Sequence, residues 1–161
     1  MGAGKTTIGS QLARALKYEF VDCDHEIEKR TGAKVALIFE IEGETGFRER
    51  ETRLIDELTQ RPRIVLATGG GAVLAADNRR WLAERGLVVY LKSPVEKLVE
   101  RVRYDTNRPL LRTADPEGTL RAIVAQREPL YQEVADLTID TGRLSVKQAI
   151  KKITSNLPWT P

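Results

Sequence analysis

The residues at the start of the chain are of the types that bind a phosphate group. The run Gly4-Lys5-Thr6 is the second half of a glycine-rich signature. In that signature backbone N–H groups surround the phosphates of a nucleotide, the lysine reaches the outer phosphates and the hydroxyl ligates Mg²⁺. Ile8, Leu12 and Leu16 follow at helical spacing, so Lys5 and Thr6 are expected at a helix N-terminus, where an anion is favoured. A glycine-rich helix cap without a ligand is the alternative.

Two carboxylates, Asp22 and Asp24, follow the apolar run at residues 19–21. In open α/β sheets, ligands gather at the carboxyl ends of strands. We therefore expect Asp22 to contribute to a magnesium shell and Asp24 to contact a substrate hydroxyl. Either carboxylate could instead cap the helix that begins near Glu26, although that alternative accounts poorly for both of them.

Three consecutive glycines, Gly69, Gly70 and Gly71, follow a second apolar run. Consecutive glycines cost backbone entropy, so they indicate a place where a ligand comes close to the main chain. A simple turn is the alternative.

Arg127 falls within the apolar stripe of a predicted helix. Leu120, Ile123 and Val124 mark that stripe, and Arg127 lies seven, four and three residues after them. A guanidinium on an inward face must meet an anion, because an unpaired charge out of water is costly. The anion is either a ligand or a structural Asp or Glu.

The elements that must position these residues alternate along the chain. Short β-type runs at residues 19–21, 64–67, 87–91 and 137–139 are separated by helical patterns. Apolar strands of this kind predict a parallel sheet covered by helices on both faces. The run Ser93-Pro94-Val95-Glu96 further predicts a helix start with a capping box.

Length and composition describe one domain, residues 1–161, of an ordinary globular protein with 41% hydrophobic and 30% charged residues. The net charge of +3 comes from scattered basic residues and aromatics are only 6%, so a nucleic-acid surface is not indicated. No apolar stretch is long enough for a membrane span. Cys23 and His25 are single, which excludes an internal disulfide and a His/Cys metal cluster.

Six segments, taken in order and with their spacing, resemble the shikimate kinase family. They are residues 2–7, 22–24, 43–51, 69–71, 107–111 and 127–131. The resemblance implies a three-layer α/β/α P-loop kinase fold with a parallel sheet of order 2-3-1-4-5. It also implies ATP as the phosphate donor with Mg²⁺, and phosphorylation of the 3-hydroxyl of shikimate to shikimate 3-phosphate on the way to chorismate and the aromatic amino acids.

The resemblance also implies roles for individual residues. The loop residues Gly2, Ala3, Gly4, Lys5, Thr6 and Thr7 match the ATP-binding positions. Thr6 binds Mg²⁺, and Asp22 supports the metal's water shell. Asp24, Arg48, Gly69, Gly70, Gly71 and Arg127 match the shikimate-binding positions. Lys5, Asp24 and Arg108 are the implied catalytic residues, and Asp24 either removes the hydroxyl proton or only orients the hydroxyl.

Residues 105–118 are polar and contain Pro109, Pro116 and Gly118, which predicts an excursion from the fold. By the resemblance this segment is a lid, and Arg108 is the lid arginine that closes over ATP. Arg101 and Arg143 lie near the adenine-contacting positions. The segment at about residues 22–60 is the implied substrate-binding part.

The family's first strand and the opening Gly-x of its phosphate loop are not in this sequence. We therefore expect Met1 to be an internal methionine, and the chain as written to fold poorly and to phosphorylate shikimate weakly or not at all. A kinase for another polyol acid such as gluconate, a kinase for a nucleoside monophosphate, and a nucleotide-binding protein without catalysis are the alternative functions. A cytoplasmic monomer without nucleic-acid or membrane partners is expected.

Overall fold

The computed structural model describes residues 2–102 and 113–157. These residues form helices and short strands in alternation. In chain order they are α1 (Lys5–Leu16), β1 (Glu19–Asp22), α2 (Cys23–Thr31), α3 (Val35–Thr59), β2 (Ile64–Ala67), a 3₁₀ turn (Ala72–Leu74), α4 (Ala76–Arg85), β3 (Val89–Lys92), α5 (Val95–Val102), α6 (Pro116–Val134), β4 (Leu137–Asp140) and α7 (Val146–Thr154).

The four strands form two parallel pairs. β1 pairs with β2 from Glu19↔Ile64 onward, and β3 pairs with β4 from Val89↔Leu137 onward. Parallel neighbours need helical crossovers, which α2 with α3 and α5 with α6 supply. In the predicted order 2-3-1-4-5, strand 1 is the family's first strand, so β1 to β4 correspond to strands 2 to 5. The pairs β1–β2 and β3–β4 are then the predicted neighbours 2-3 and 4-5.

Both faces of the strands are covered by helices. In β2, Val65 packs into a cluster with α1 and α7, whereas its neighbours Ile64 and Leu66 pack into a cluster with α2 and α3. Successive side chains of a strand point to opposite faces, so the two clusters lie on opposite sides of β2. The structure therefore has the three layers that the apolar strand runs predict.

An apolar cavity of about 480 Å³ separates the two strand pairs. All four residues of β2 line it, as do Val89, Tyr90 and Leu91 of β3, and α1 and α6 contribute further side chains. Among the described residues, the β2 and β3 edges on this cavity have no strand partner.

Three details differ from the sequence expectations. The third strand begins at Val89, two residues later than the apolar run. The capping box at residues 93–96 is not formed, since the buried Ser93 hydroxyl has no hydrogen-bond partner in the described structure. The predicted excursion ends before Pro116, because Asp115 caps α6 by accepting a hydrogen bond from the Gly118 N–H at 2.9 Å.

Candidate functional site

The loop before α1 has the geometry of an anion-binding turn. Gly2 and Gly4 adopt φ angles of 67° and 88°, which glycine tolerates best. Within the described residues no side chain caps α1, so its first N–H groups face the loop. The Arg101 guanidinium donates a hydrogen bond to the Gly2 carbonyl at 2.7 Å. The loop, Lys5 and Arg101 therefore lie together at the N-terminus of α1, where an anion is favoured.

Thr6 and Asp22 are in direct contact. The Thr6 hydroxyl donates to Asp22 Oδ2 at 2.9 Å, while Asp22 Oδ1 accepts from the Asp24 and His25 N–H groups and so caps α2. Asp22 therefore caps α2 and at the same time contacts Thr6 of the phosphate loop. One carboxylate and one hydroxyl fit Mg²⁺, which binds through few protein ligands and completes its shell with water and phosphate oxygens.

Arg48 is held by two glutamates of its own helix. Its Nη1 donates to Glu51 Oε2 at 2.6 Å, and its Nε and Nη2 donate to Glu44 Oε1 at 3.1 Å. Glu51 is completely buried, and its Oε1 has no hydrogen-bond partner among the described residues. The second half of α3 therefore presents a guanidinium whose orientation is fixed by a buried carboxylate.

The glycine run makes room for this ion pair. A Cβ atom added to Gly71 would lie 2.1 Å from Arg48 Nη2, and one added to Gly69 would lie 2.6 Å from Glu51 Oε1. Asp24 Oδ1 would lie 3.4 Å from the same added atom on Gly69. A larger residue at either position would thus displace the end of a side chain, because side chains of α2 and α3 lie against the loop after β2.

Arg127 points inward from α6, as its spacing predicts. It is only 5% exposed, and its Nε has no hydrogen-bond partner within the described part of the chain. The Arg127 charge acts to lower the pKa of both the Glu51 carboxyl and the Tyr131 phenol, against the effect of burial. Arg127 and Arg48 line one open cleft of about 840 Å³ between α3 and α6. Two guanidiniums facing one cleft suit a carboxylate ligand.

The pKa shifts at this site follow from burial. Burial raises the pKa of Glu51, and the neighbouring Arg48 charge offsets only part of that effect. Burial disfavours the charge on Arg48, but Glu51 and Glu44 outweigh it and raise the pKa of Arg48. Burial also raises the pKa of the Tyr131 hydroxyl, so the phenol stays a hydrogen-bond donor.

Two residues of the site, Glu51 and Tyr131, were not singled out from the sequence. Glu51 lies four residues after Phe47 and three before Leu54, both buried, so the pattern that marks Arg127 marks Glu51 as well. The Tyr131 hydroxyl donates to the Gly70 carbonyl at 2.6 Å, a contact 61 residues apart in sequence that local spacing cannot predict.

The other two predicted ATP contacts are Arg143 and Arg108. Arg143 lies exposed in the turn after β4, with its Nε 3.6 Å from Asp140 Oδ2. Arg108 lies outside the described residues, as does most of the predicted lid. The nucleotide roles of Arg108, Arg143 and Arg101 stay predictions.

Two kinds of feature are absent from the described residues. No helix among them is both long enough and apolar enough to cross a bilayer. The same residues contain no cluster of three or more His, Cys, Asp or Glu side chains arranged to hold a metal ion.

Comparison with known proteins gives a consistent result. A sequence model of the shikimate kinase family matches residues 1–158. A shikimate kinase from Bordetella pertussis is 60% identical over 157 residues, covering 98% of this chain and 74% of the relative. One from Methylococcus capsulatus is 56% identical over 153 residues, covering 95% of this chain and 86% of the relative.

Solved structures agree in fold. The shikimate kinase from Acinetobacter baumannii in complex with shikimate has a TM-score of 0.92 and 54% identity, covering 95% of this chain and 86% of that one. The Bacteroides thetaiotaomicron enzyme has a TM-score of 0.87 and 30% identity, covering 96% and 92%. With a family match over nearly its whole length and relatives above half identity, the chain belongs to the shikimate kinase family.

Proposed function

We propose that this chain transfers the γ-phosphoryl group of ATP to the 3-hydroxyl of shikimate, forming shikimate 3-phosphate for aromatic amino acid biosynthesis. The observation that carries the proposal is the pair of guanidiniums, Arg48 and Arg127, on one cleft. Family membership and the shikimate complex of a relative with 54% identity support the choice of acceptor.

The cleft suits an acid with several hydroxyl groups. Shikimate carries one carboxylate and three hydroxyls, so the two arginines can hold the acid by charge-assisted hydrogen bonds. Arg127 in particular is buried with an unpartnered Nε, and a bound carboxylate would satisfy it. Asp24, which lies next to Gly69, is proposed to accept a hydrogen bond from one of the hydroxyls. Binding at both ends would fix the acceptor hydroxyl relative to the phosphate loop.

Phosphoryl transfer asks mainly for in-line positioning and neutralisation of charge on the moving group. The loop N–H groups and Lys5 at the start of α1 supply positive potential at the phosphates. Thr6 and Asp22 are the residues that would hold Mg²⁺ and its water, and the ion would add charge neutralisation when bound with ATP. Arg108 is proposed to contribute a further positive charge. A loose transition state needs no strong base, so Asp24 is proposed to orient the hydroxyl without having to remove its proton early.

The test is an ADP-release assay with a panel of acceptors. Purified protein, ATP and Mg²⁺ are combined with shikimate, gluconate or a nucleoside monophosphate. We expect the turnover, whatever its absolute rate, to depend on shikimate and to be at least about tenfold slower with the other acceptors, because the proposed contacts match the carboxylate and hydroxyls of shikimate. Preference for another acceptor, or ATP binding without acceptor-dependent turnover, would contradict the proposal.

We also propose that the enzyme acts as a monomer in the cytoplasm, as one domain with residues 22–60 as its substrate-binding part. The buried free thiol of Cys23 suits a reducing compartment. The modest net charge of +3 gives no reason to expect a nucleic-acid or membrane partner. Light scattering coupled to size exclusion tests the monomer, and a mass near twice 18.1 kDa would contradict it.

A further inference from the structure

The loop after β2 is held by a side chain of helix α6. The Tyr131 hydroxyl donates to the Gly70 carbonyl at 2.6 Å. Tyr131 follows Arg127 by four residues on α6, so both side chains leave the same face of the helix. One helix face thus carries a guanidinium for the ligand and a phenol for the loop.

The loop needs such a restraint because it contains three successive glycines. Glycine has more accessible backbone conformations than any other residue, so this segment has little stiffness of its own. The Gly70 carbonyl and the Gly71 N–H belong to one planar peptide unit. A hydrogen bond to the carbonyl therefore orients the whole unit, including the backbone against which the Arg48 guanidinium rests.

The phenol is itself held rigidly. Its ring stacks on the Tyr90 ring with centroids 4.9 Å apart and planes at 26°. Tyr90 itself donates a hydrogen bond to Glu128 at 2.5 Å. The ring stack, which does not involve the Tyr90 hydroxyl, therefore helps to set the position of Tyr131.

From these contacts we propose that Tyr131 is a positioning residue for the acceptor: its hydroxyl holds the Gly70–Gly71 peptide, and with it Arg48, in the geometry that receives the ligand's carboxylate. Tyr131 acts through the loop and through Arg48 and touches no reacting atom. The proposal rests on the proposed function for the identity of the acceptor, but the restraint on the loop can be measured without any acceptor.

The test compares two variants that each lose one hydroxyl from the same ring stack. Tyr131→Phe keeps the stack and loses both the bond to Gly70 and the interaction of the hydroxyl with Arg127, so the exchange measurement below is needed to isolate the loop contact. Tyr90→Phe keeps the stack and loses only the bond to Glu128. We expect Tyr131→Phe to raise the KM for shikimate about 2- to 13-fold, the size of one neutral hydrogen bond, with the KM for ATP unchanged and kcat within about threefold. Tyr90→Phe should leave the KM for shikimate within about twofold of the parent value.

A second measurement needs no substrate. Amide hydrogen exchange at residues 69–72 should be faster in Tyr131→Phe than in the parent, and unchanged in Tyr90→Phe. Equal rises in both KM values, or unchanged exchange in Tyr131→Phe, would overturn the proposal. If the parent chain does not phosphorylate shikimate, the proposed function fails, and the exchange rates of the two variants then decide the role of Tyr131.

Discussion

Buried charges dominate the site at the level of single residues. Glu51 and Arg127 are both almost inaccessible to solvent, yet neither has all its polar atoms satisfied within the described residues. Groups of this kind are costly for stability and are kept where a ligand completes them. An acceptor group would satisfy Arg127 Nε, whereas Glu51 Oε1 needs a hydrogen-bond donor.

We predict that Arg127→Ala raises the KM for shikimate about 10- to 150-fold, because the carboxylate loses a charged partner worth about 1.5–3 kcal/mol. The KM for ATP should change little. Steady-state kinetics with each substrate varied in turn measures both. Arg121→Ala is the matched control, since Arg121 lies on the same helix and pairs with Glu117 and Glu96 at the exposed surface. An equal loss of ATP affinity would count against the assignment.

Gly71→Ala tests the close approach of Arg48 to the loop. The added methyl would overlap the guanidinium, which is the flexible end of a side chain, so Arg48 should move and the backbone should stay. We expect a rise of about tenfold in the KM for shikimate with a loss of stability below about 2 kcal/mol. Kinetics and urea unfolding measure these. Gly86→Ala is the control, because its added methyl would meet only a carbonyl at 3.7 Å. Unchanged kinetics in Gly71→Ala would contradict the proposed place of Arg48.

Sequence reasoning finds some of these residues and misses others for physical reasons. Arg127 interrupts an apolar helical stripe, and such periodicity is legible in a single segment. Glu51 interrupts a stripe in the same way and could have been found. The contact of Arg48 with Gly71 and that of Tyr131 with Gly70 join distant segments, so they depend on how α3 and α6 pack against the loop. The glycine run indicates a close approach, but only the structure shows that side chains of α3 make it.

At the level of elements, Glu128 links α6 to β3. It accepts hydrogen bonds from Tyr90 and from Lys92, each at 2.5 Å. Burial alone would raise the pKa of Glu128, but the bonds from Lys92 and Tyr90 outweigh it and lower the pKa below its usual value. This link sets the distance between the helix that carries Arg127 and the strand beneath it.

The lowered pKa predicts an acid-sensitive contribution to stability. A carboxyl whose pKa is lower in the folded than in the unfolded state stabilises the fold fully above the unfolded value of about 4.3. That contribution is lost as pH falls through the folded pKa. The difference in unfolding free energy between the parent and Glu128→Gln should therefore be largest near pH 6 and shrink below about pH 4. Urea unfolding across this range measures it.

Glu133→Gln is the control for this experiment, because Glu133 pairs with Arg79 at an exposed position where ion pairs contribute little. A difference between the parent and Glu128→Gln that stays constant or grows on acidification would show that Glu128 does not stabilise the fold as a carboxylate.

For the whole molecule, the layered parallel architecture could be predicted because each strand run is short, apolar and followed by a helical pattern. The strand pairs β1–β2 and β3–β4 are as expected from the resemblance. The cavity between the pairs cannot be predicted from any single segment of the sequence, because residues of β2, β3, α1 and α6 line it together. With a volume of about 480 Å³ and an apolar lining, it leaves the described strand pairs incompletely packed against each other.

We predict that the folded chain binds a small apolar dye such as anilinonaphthalene sulfonate in this cavity. Val65→Phe, which narrows the cavity from β2, should reduce the dye fluorescence at least about twofold, because less apolar surface is left to contact the dye. Ile41→Ser is the control, since Ile41 is 73% exposed on α3 and is the obvious surface alternative. Fluorescence that falls in Ile41→Ser and not in Val65→Phe would place the dye at the surface.

Cys23, the only cysteine of the chain, lies fully buried in the apolar cluster of α2 and α3, near Glu51 and Asp24. Burial raises the pKa of its thiol, and the charges of Glu51, Asp24 and Asp22 raise it further, so the folded protein presents almost no thiolate. A thiol reagent can therefore react with Cys23 only while the surrounding segment is transiently unfolded. The labelling rate then measures how often that local unfolding occurs. We expect labelling by dithionitrobenzoate to be slower with shikimate than without it, by the factor 1 + [L]/Kd that binding to the closed state imposes. Labelling as fast with saturating shikimate as without it would mean that the segment around Cys23 opens independently of the site. The rate would report substrate affinity without any turnover.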